Sequence, residues 1–185
     1  MGSQANSRVI ETFIASAKEA AATVERIPAD AGNLNDALVK TTEGRPLLLC
    51  LPEYLDQELY SVFSRGQNVV TSPSKKQLST IDTGITEAFC GIASTGSVCI
   101  SISQNLSSPI SMLVRRHIVI LDGRRIVPKP RDVFSEAYLG GKGLNCSFSI
   151  ITGPSATADM GPLVRGVHGP GELHIIILEW PDEQH

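Results

Sequence analysis

From Pro46 to Trp180 the chain is written as short apolar runs broken by glycine, proline and polar turns. Runs of that length are enough for a buried strand and too short for a membrane span, which needs roughly 18 apolar residues. Leu47–Leu51 lies between Pro46 and Pro52, and Val69–Thr71, Ser97–Ser103, Cys146–Thr152 and Leu173–Trp180 follow as further strands. Between them, Leu55, Leu59, Val62 and Phe63 take helical spacing. So do Ile85, Ala88, Phe89 and Ile92, with Asp82 or Thr83 as cap, and Val133, Phe134, Ala137 and Tyr138. His117–Leu121 and Arg124–Val127 flank Asp122-Gly123, a dipeptide that favours a two-residue hairpin turn. Ser72–Lys76 reads as a polar loop. Strands and helices in alternation predict an α/β fold, a three-layer sandwich around a largely parallel sheet.

Two helices precede this body. Ile10, Phe13, Ile14, Ala17, Ala20, Ala21 and Val24 form one apolar stripe, with Asn6 or Ser7 as cap and Pro28 beyond its end. A shorter helix is expected over Asn33–Lys40, closed by Gly44-Arg45-Pro46. The 185 residues make one domain, with residues 1–42 as an N-terminal helical segment and residues 43–185 as the α/β body. At this size folding buries roughly 70% of the unfolded chain's surface, so no disulfide or metal staple is required.

Composition narrows the function classes. Sixteen basic residues against nineteen acidic ones give a net charge of −3, which argues against a general nucleic-acid binder. Hydrophobic residues are 42% and charged residues 19%, which excludes wholesale disorder. Met1–Lys18 holds Arg8, Glu11 and Lys18 and no apolar core of a leader, so the expected location is the cytoplasm. The four cysteines, at 50, 90, 99 and 146, show no Cys-x-x-Cys spacing and stand among apolar or small neighbours. They read as reduced core residues, and no metal site is expected in this chain.

Three polar turns carry the candidate chemistry. Ile150–Asp159 runs from an apolar strand into Gly153-Pro154, then Ser155, Thr157 and Asp159. Ligands of open α/β sheets lie outside the carboxyl ends of strands. If a helix begins at Ser155 or Thr157, its free N–H groups suit a phosphate or carboxylate. A capped helix start with Asp159 on the dipole explains the same residues. Thr95, Gly96 and Ser97 form a second hydroxyl-rich turn, equally readable as a helix C-cap. Gly166–Gly171 forms a third, from which His168 projects as an acid, base or donor. His174 reads as structural, and His117 is left open. Gly140-Gly141-Lys142-Gly143 lacks the phosphate-loop spacing. Arg115, Arg116, Arg124, Arg125, Lys129 and Arg131 face Asp122 alone, as a solvated hairpin face or a patch for an anionic ligand or subunit.

At these turns the chain resembles the lactate utilization (LUD) domain family, in its C-type branch. The resemblance rests on Gly84-Ile85-Thr86-Glu87-Ala88, Ile92–Ser97, His117-Ile118-Val119, Ile151–Asp159 and Gly166–Pro170, and covers roughly Val69 to Glu179. It implies a fold similar to CoA transferases, ribose-5-phosphate isomerase and glucosamine-6-phosphate deaminase. It also implies a role in oxidising L-lactate to pyruvate as a non-redox subunit. Iron–sulfur clusters are then expected on partner subunits, and no cofactor in this chain. Read from the turns themselves, Asp159 and His168 are the catalytic candidates. Thr95, Gly96, Ser97, Gly153, Ser155 and Thr157 are the ligand-binding ones, for a small carboxylate or phosphate.

The chain departs from the family at Ser94, where Glu is usual, and at Gly161-Pro162, where an acidic residue is usual. A carboxylate nucleophile of the CoA-transferase kind cannot come from Ser94. The rival to the subunit reading is a free-standing enzyme of the same fold acting on a phosphosugar or an acyl-CoA. A regulatory binding domain without a reaction is a third. Under the subunit reading the purified chain is colourless and does not oxidise lactate unaided. An absorption spectrum and a dye-reduction assay check this, and a flavin or cluster band from this polypeptide alone contradicts it.

Overall fold

The computed structural model describes residues 3–102, 106–135, 147–157, 164–166 and 169–181. Asp159, His168, Cys146 and the Gly140–Gly143 segment lie outside them, as do Ala137 and Tyr138. Six parallel strands form the central sheet: β1 (Thr23–Pro28), β2 (Leu47–Leu49), β3 (Val69–Val70), β4 (Thr83–Ala88), β7 (Arg116–Asp122) and β12 (Glu172–Glu179), in spatial order β1-β12-β7-β4-β2-β3. A second, smaller sheet joins β5 (Cys90–Ile92), β6 (Ser97–Ser101), β8 (Ile126–Val127) and β9 (Phe148–Ile151) in the order β8-β5-β6-β9. A two-stranded ribbon pairs β10 (Ala156–Thr157) with β11 (Val164–Arg165). The expected α/β sandwich around a largely parallel sheet is what the chain forms.

The side chains dictate the layers. On β7 and β12, Ile118–Leu121 and Ile175–Leu178 are all fully buried, so both faces of the sheet must be covered. Ile118, Ile120, Ile176 and Leu178 point to α2 (Ala31–Thr42) and to 3₁₀ turns at Gln57–Tyr60 and Phe63–Arg65. Val119, Leu121, Ile175 and Ile177 point the other way, to α1 (Ser3–Glu19) and the smaller sheet. At the β2 end that second face is closed by α3 (Lys75–Thr80) and α4 (Ser107–Leu113), where Ile110 and Val114 pack on Leu48. No described helix is long and apolar enough to cross a membrane.

Several local expectations are corrected. The first helix stops at Glu19 instead of running through Val24, because Ala21 takes a left-handed φ of 66°. The Ala22 N–H then bonds Ala17 O and the Ala21 N–H bonds Lys18 O, a C-cap usually marked by glycine. Val24 belongs to β1, so residues 1–42 are not helical throughout but supply an edge strand to the sheet. Ile85–Ile92 is β4 and β5, not a helix. All six residues of β4 are buried, so no polar face discloses its period of two.

Asp122-Gly123 makes no hairpin. The Asp122 carboxylate accepts the Arg124 N–H and starts a 3₁₀ turn that carries the chain from β7 into the other sheet. Leu55–Phe63 and Val133–Phe134 are 3₁₀ turns instead of helices. The loop expected at Ser72–Lys76 contains a Ser74/Gln77 capping box that opens α3. The Arg115–Arg131 patch is also dispersed. Arg116 begins β7 and pairs with Glu172, Arg124 holds Asp122 and covers Trp180, and Arg125 lies over Tyr54.

One buried ionisable group sets a pH limit on this core. His117 is fully buried at the start of β7, its Nε2 2.9 Å from Thr86 Oγ1. Burial pushes its pKa down to about 3 from an ordinary 6.5. The unfolded chain therefore binds a proton that the folded chain refuses, and stability falls as pH drops below 6.5. Between pH 7.5 and pH 5 the loss from this group is about 2 kcal/mol. Denaturant unfolding at both pH values checks it: His117→Gln should lack that portion of the acid-induced loss. Identical losses in both proteins would leave His117 without this role.

Candidate functional site

The three polar turns come together, but at the amino edge of the central sheet and not at the carboxyl edge expected for them. Thr95 Oγ1 lies 2.7 Å from Ser97 Oγ, which lies 2.7 Å from Thr152 Oγ1. This chain of hydroxyls joins the β5–β6 turn to the end of β9, because β6 and β9 pair with Val98 opposite Ile151. Gly153-Pro154 then carries the chain to Ser155, whose N–H bonds Pro170 O at 2.8 Å and whose carbonyl accepts the Gly166 N–H at 2.9 Å. Thus Thr95, Gly96, Ser97 and Gly153 form one group, and Ser155 adjoins the Gly166–Gly171 turn. Thr157 pairs with Val164 in the ribbon.

The helix start expected at Ser155 or Thr157 is absent: these residues lead into β10. The Ser155 N–H, expected to face an anion, is taken by Pro170 O. The expected catalytic pair, Asp159 and His168, lies outside the described residues. The two glycines have a packing cause. A Cβ on Gly96 (φ 63°) would fall 2.1 Å from Ala17 N, and one on Gly153 (φ 67°) 2.0 Å from Ala20 O. The end of α1 sits directly on both turns.

Beside the gathered turns opens a cleft of about 330 Å³, lined by Ala21, Thr23, Thr41, Arg116, Gly171, Glu172, Leu173 and His174. Arg116 begins β7, Glu172 begins β12 and Thr23 begins β1, so the parallel register sets all three on one edge. Arg116 Nε donates to Glu172 at 2.7 Å, and its Nη1 donates to Thr41 O at 3.0 Å. His174 stands in register with Thr23, with Nδ1 2.7 Å from Thr23 Oγ1 and Nε2 3.7 Å from Glu25 Oε2. Burial pushes the His174 pKa down, Glu25 draws it back up, and Arg116 and Lys40 push it further down. By sequence alone His174 is structural and Arg116 belongs to a diffuse patch. The pairing of β12 with β7 brings them into one place, and that of β12 with β1 adds Thr23.

The carboxyl edge holds a second group that the polar-turn pattern does not reach. The sheet's winding reverses between β2 and β4, the kind of switch point at which open sheets bind ligands. There Glu87, at the end of β4 and only 7% exposed, accepts the backbone N–H groups of Glu53, Tyr54 (2.8 Å) and Leu55 (2.9 Å). Burial raises its pKa, and those three hydrogen bonds oppose the rise. The adjoining cavity, lined by Cys50, Tyr54, Thr86, Glu87, Ile100, Ser101 and Ser107, holds about 10 Å³, room for one water. Glu87 there fastens the loop after β2. A lone carboxylate in the run Ile85–Ala88 is the available signal.

A family model described as LUD domain matches residues 3–178. Similar proteins include an uncharacterized protein of Neisseria meningitidis serogroup B, 30% identical over 53% of this chain and 42% of its own length. A Lactate utilization protein C of Halalkalibacterium halodurans is 30% identical over 70% of this chain and 56% of its own length. Another of that name, from Bacillus subtilis, is 27% identical over 83% and 72%. The chain thus spans about half the length of the first two relatives. A crystal structure of a DUF162 family protein from Deinococcus radiodurans superposes with a TM-score of 0.71. It covers 94% of this chain and 98% of the other at 18% identity, a likeness of fold.

The contact of α1 with the turns predicts an ordering of glycine variants. Gly44 has φ 68° and nothing within 4 Å of the place a methyl group would take, whereas Gly153 has φ 67° and Ala20 O in the way. Gly44→Ala should cost about 1 kcal/mol, the backbone strain alone. Gly153→Ala adds overpacking of about 1–3 kcal/mol to that strain. Denaturant unfolding measures both, and equal losses would remove α1 from the account of Gly153.

Proposed function

This chain belongs to the LUD domain family, and from that premise we propose that it serves lactate utilization as a non-redox subunit of an iron–sulfur, L-lactate-oxidising complex, binding a small anion or a partner subunit. The two relatives named Lactate utilization protein C support the lactate role. The division of labour is carried by the environment of the cysteines. Cys90 and Cys99 face each other across β5 and β6, and both are fully buried. The Cys99 contact and burial push the Cys90 thiol far up, and burial pushes Cys50 up to about 11. Cluster ligands are thiolates gathered around one site, whereas Cys50, Cys90 and Cys99, the cysteines among the described residues, are placed as buried core side chains. Oxidation of lactate to pyruvate releases two electrons and two protons, and in this reading the electrons pass to clusters on partner proteins.

The test uses the full-length tagged protein in cells grown on L-lactate. Iron–sulfur proteins should co-purify with it, the assembly should reduce a dye with L-lactate, and deletion of the gene should stop growth on L-lactate. A protein that runs alone, turns over a phosphosugar or an acyl-CoA, and is dispensable for growth on lactate overturns the reading in favour of a free-standing enzyme.

A further inference from the structure

The amino-edge cleft carries chemistry that the lactate reading does not use. Its volume of about 330 Å³ falls within the range of small-molecule sites. Two kinds of group face it, and their hydrogen-bonding capacities are fixed by what lies behind them. Arg116 can only donate. Two of its N–H groups are spent on Glu172 and on Thr41 O, which hold the guanidinium in place. Its other N–H groups have no partner among the described residues, and a planar fork held in this way suits a carboxylate or phosphate.

Thr23 is the complementary case. The buried Nε2 of His174 lies 3.7 Å from Glu25 Oε2, too far for a hydrogen bond but near enough to feel the carboxylate's charge. The Thr23 hydroxyl has two partners in the protein, His174 Nδ1 at 2.7 Å and Leu173 O at 3.4 Å, and its single proton goes to one of them, the Nδ1–H donating to Thr23 where that one is Leu173 O. With its one proton committed, the exposed Thr23 oxygen can only accept. Lys40, 3.5 Å from Glu25, holds the far end of this line. The cleft therefore offers a donor-only group and an acceptor-only group on the two strand starts that flank the start of β12.

We propose that this cleft is a binding site for a small organic anion carrying a hydroxyl beside its acidic group: Arg116 takes the carboxylate or phosphate, and Thr23, positioned by His174, accepts the ligand's hydroxyl. The cleft's carboxylates, Glu172 and Glu25, are paired with Arg116 and Lys40, so the charge left facing the cleft is the guanidinium's. The inference rests on the reading above only in supposing an anionic ligand. It needs neither the lactate pathway nor the iron–sulfur partners.

Calorimetric titration of the isolated full-length protein tests it with L-lactate, pyruvate and ribose 5-phosphate. At least one of the two hydroxylated anions should bind, and Arg116→Gln should remove that binding. Thr23→Val, on an exposed edge position, should weaken a hydroxylated anion at least about tenfold. If L-lactate binds, pyruvate should bind more weakly and be indifferent to Thr23→Val, because it lacks the hydroxyl. Should Arg116→Gln fail to fold, Thr23→Val and a ligand-induced shift of the His174 ring proton resonances in the unmodified protein decide the matter. No binding at millimolar concentration, or binding untouched by the substitutions, overturns the cleft. Binding of ribose 5-phosphate without L-lactate keeps the cleft and counts against the lactate reading. Co-purifying iron–sulfur proteins with no anion bound does the reverse.

Discussion

Everything in this fold follows from two strands that have no outside. β7 and β12 bury Ile118–Leu121 and Ile175–Leu178 on both faces, and each has a parallel neighbour on either side. Eight such side chains, at ~1.5–3 kcal/mol each for full burial, are shared equally between the two core layers. They demand a layer above and a layer below. α2 with the two 3₁₀ turns is one layer; α1, the small sheet and α4 are the other. Because these eight positions are apolar on both faces, groups able to meet a ligand are left to the two edges of the sheet.

The two edges solve different problems. At the carboxyl edge, Glu87 is consumed in fastening the loop after β2, and the space beside it is no larger than one water. At the amino edge the chain must pass from the end of α1 into β1 while the β5–β6 turn, the β9 exit and the β12 entry crowd the same place. Gly96 and Gly153 permit that crowding by leaving room for the α1 backbone. The hydroxyls of Thr95, Ser97 and Thr152 satisfy one another there. What is left open is the cleft between Thr23, Arg116 and His174.

Much of the fold is legible in the sequence, for reasons visible in particular residues. The apolar runs at Leu47–Leu49, Ser97–Ser101, Phe148–Ile151 and Glu172–Glu179 are strands where apolar length and bounding turns place them. The failures share one cause: a residue doing another residue's usual work. Ala21 closes α1 in the left-handed conformation that glycine normally takes, so β1 is hidden inside a helical stripe. β4 is buried on both faces, so Ile85, Ala88, Phe89 and Ile92 imitate a helix. Asp122-Gly123 has the composition of a hairpin, but the Asp122 side chain is turned onto the Arg124 N–H. The gathering of the turns can be foreseen; the edge on which they gather cannot. It depends on β9 belonging to the smaller sheet, a long-range pairing that no local pattern announces.

The same geometry bears on the chemistry open to the described residues. Acyl transfer through a covalent intermediate needs a carboxylate that can approach a carbonyl carbon. Ser94 offers a hydroxyl and not a carboxylate, and it is exposed, with its N–H bonded to Pro128 O. Glu87 is a carboxylate, but three backbone N–H groups already occupy its oxygens, and withdrawing it would release the loop that they hold. Glu25 and Glu172 are each paired with a cation. A group whose lone pairs are engaged in this way is a poor nucleophile, because attack must first break hydrogen bonds that solvent would have to replace. Glu87, Glu25 and Glu172 thus act in the fold by holding other groups in place.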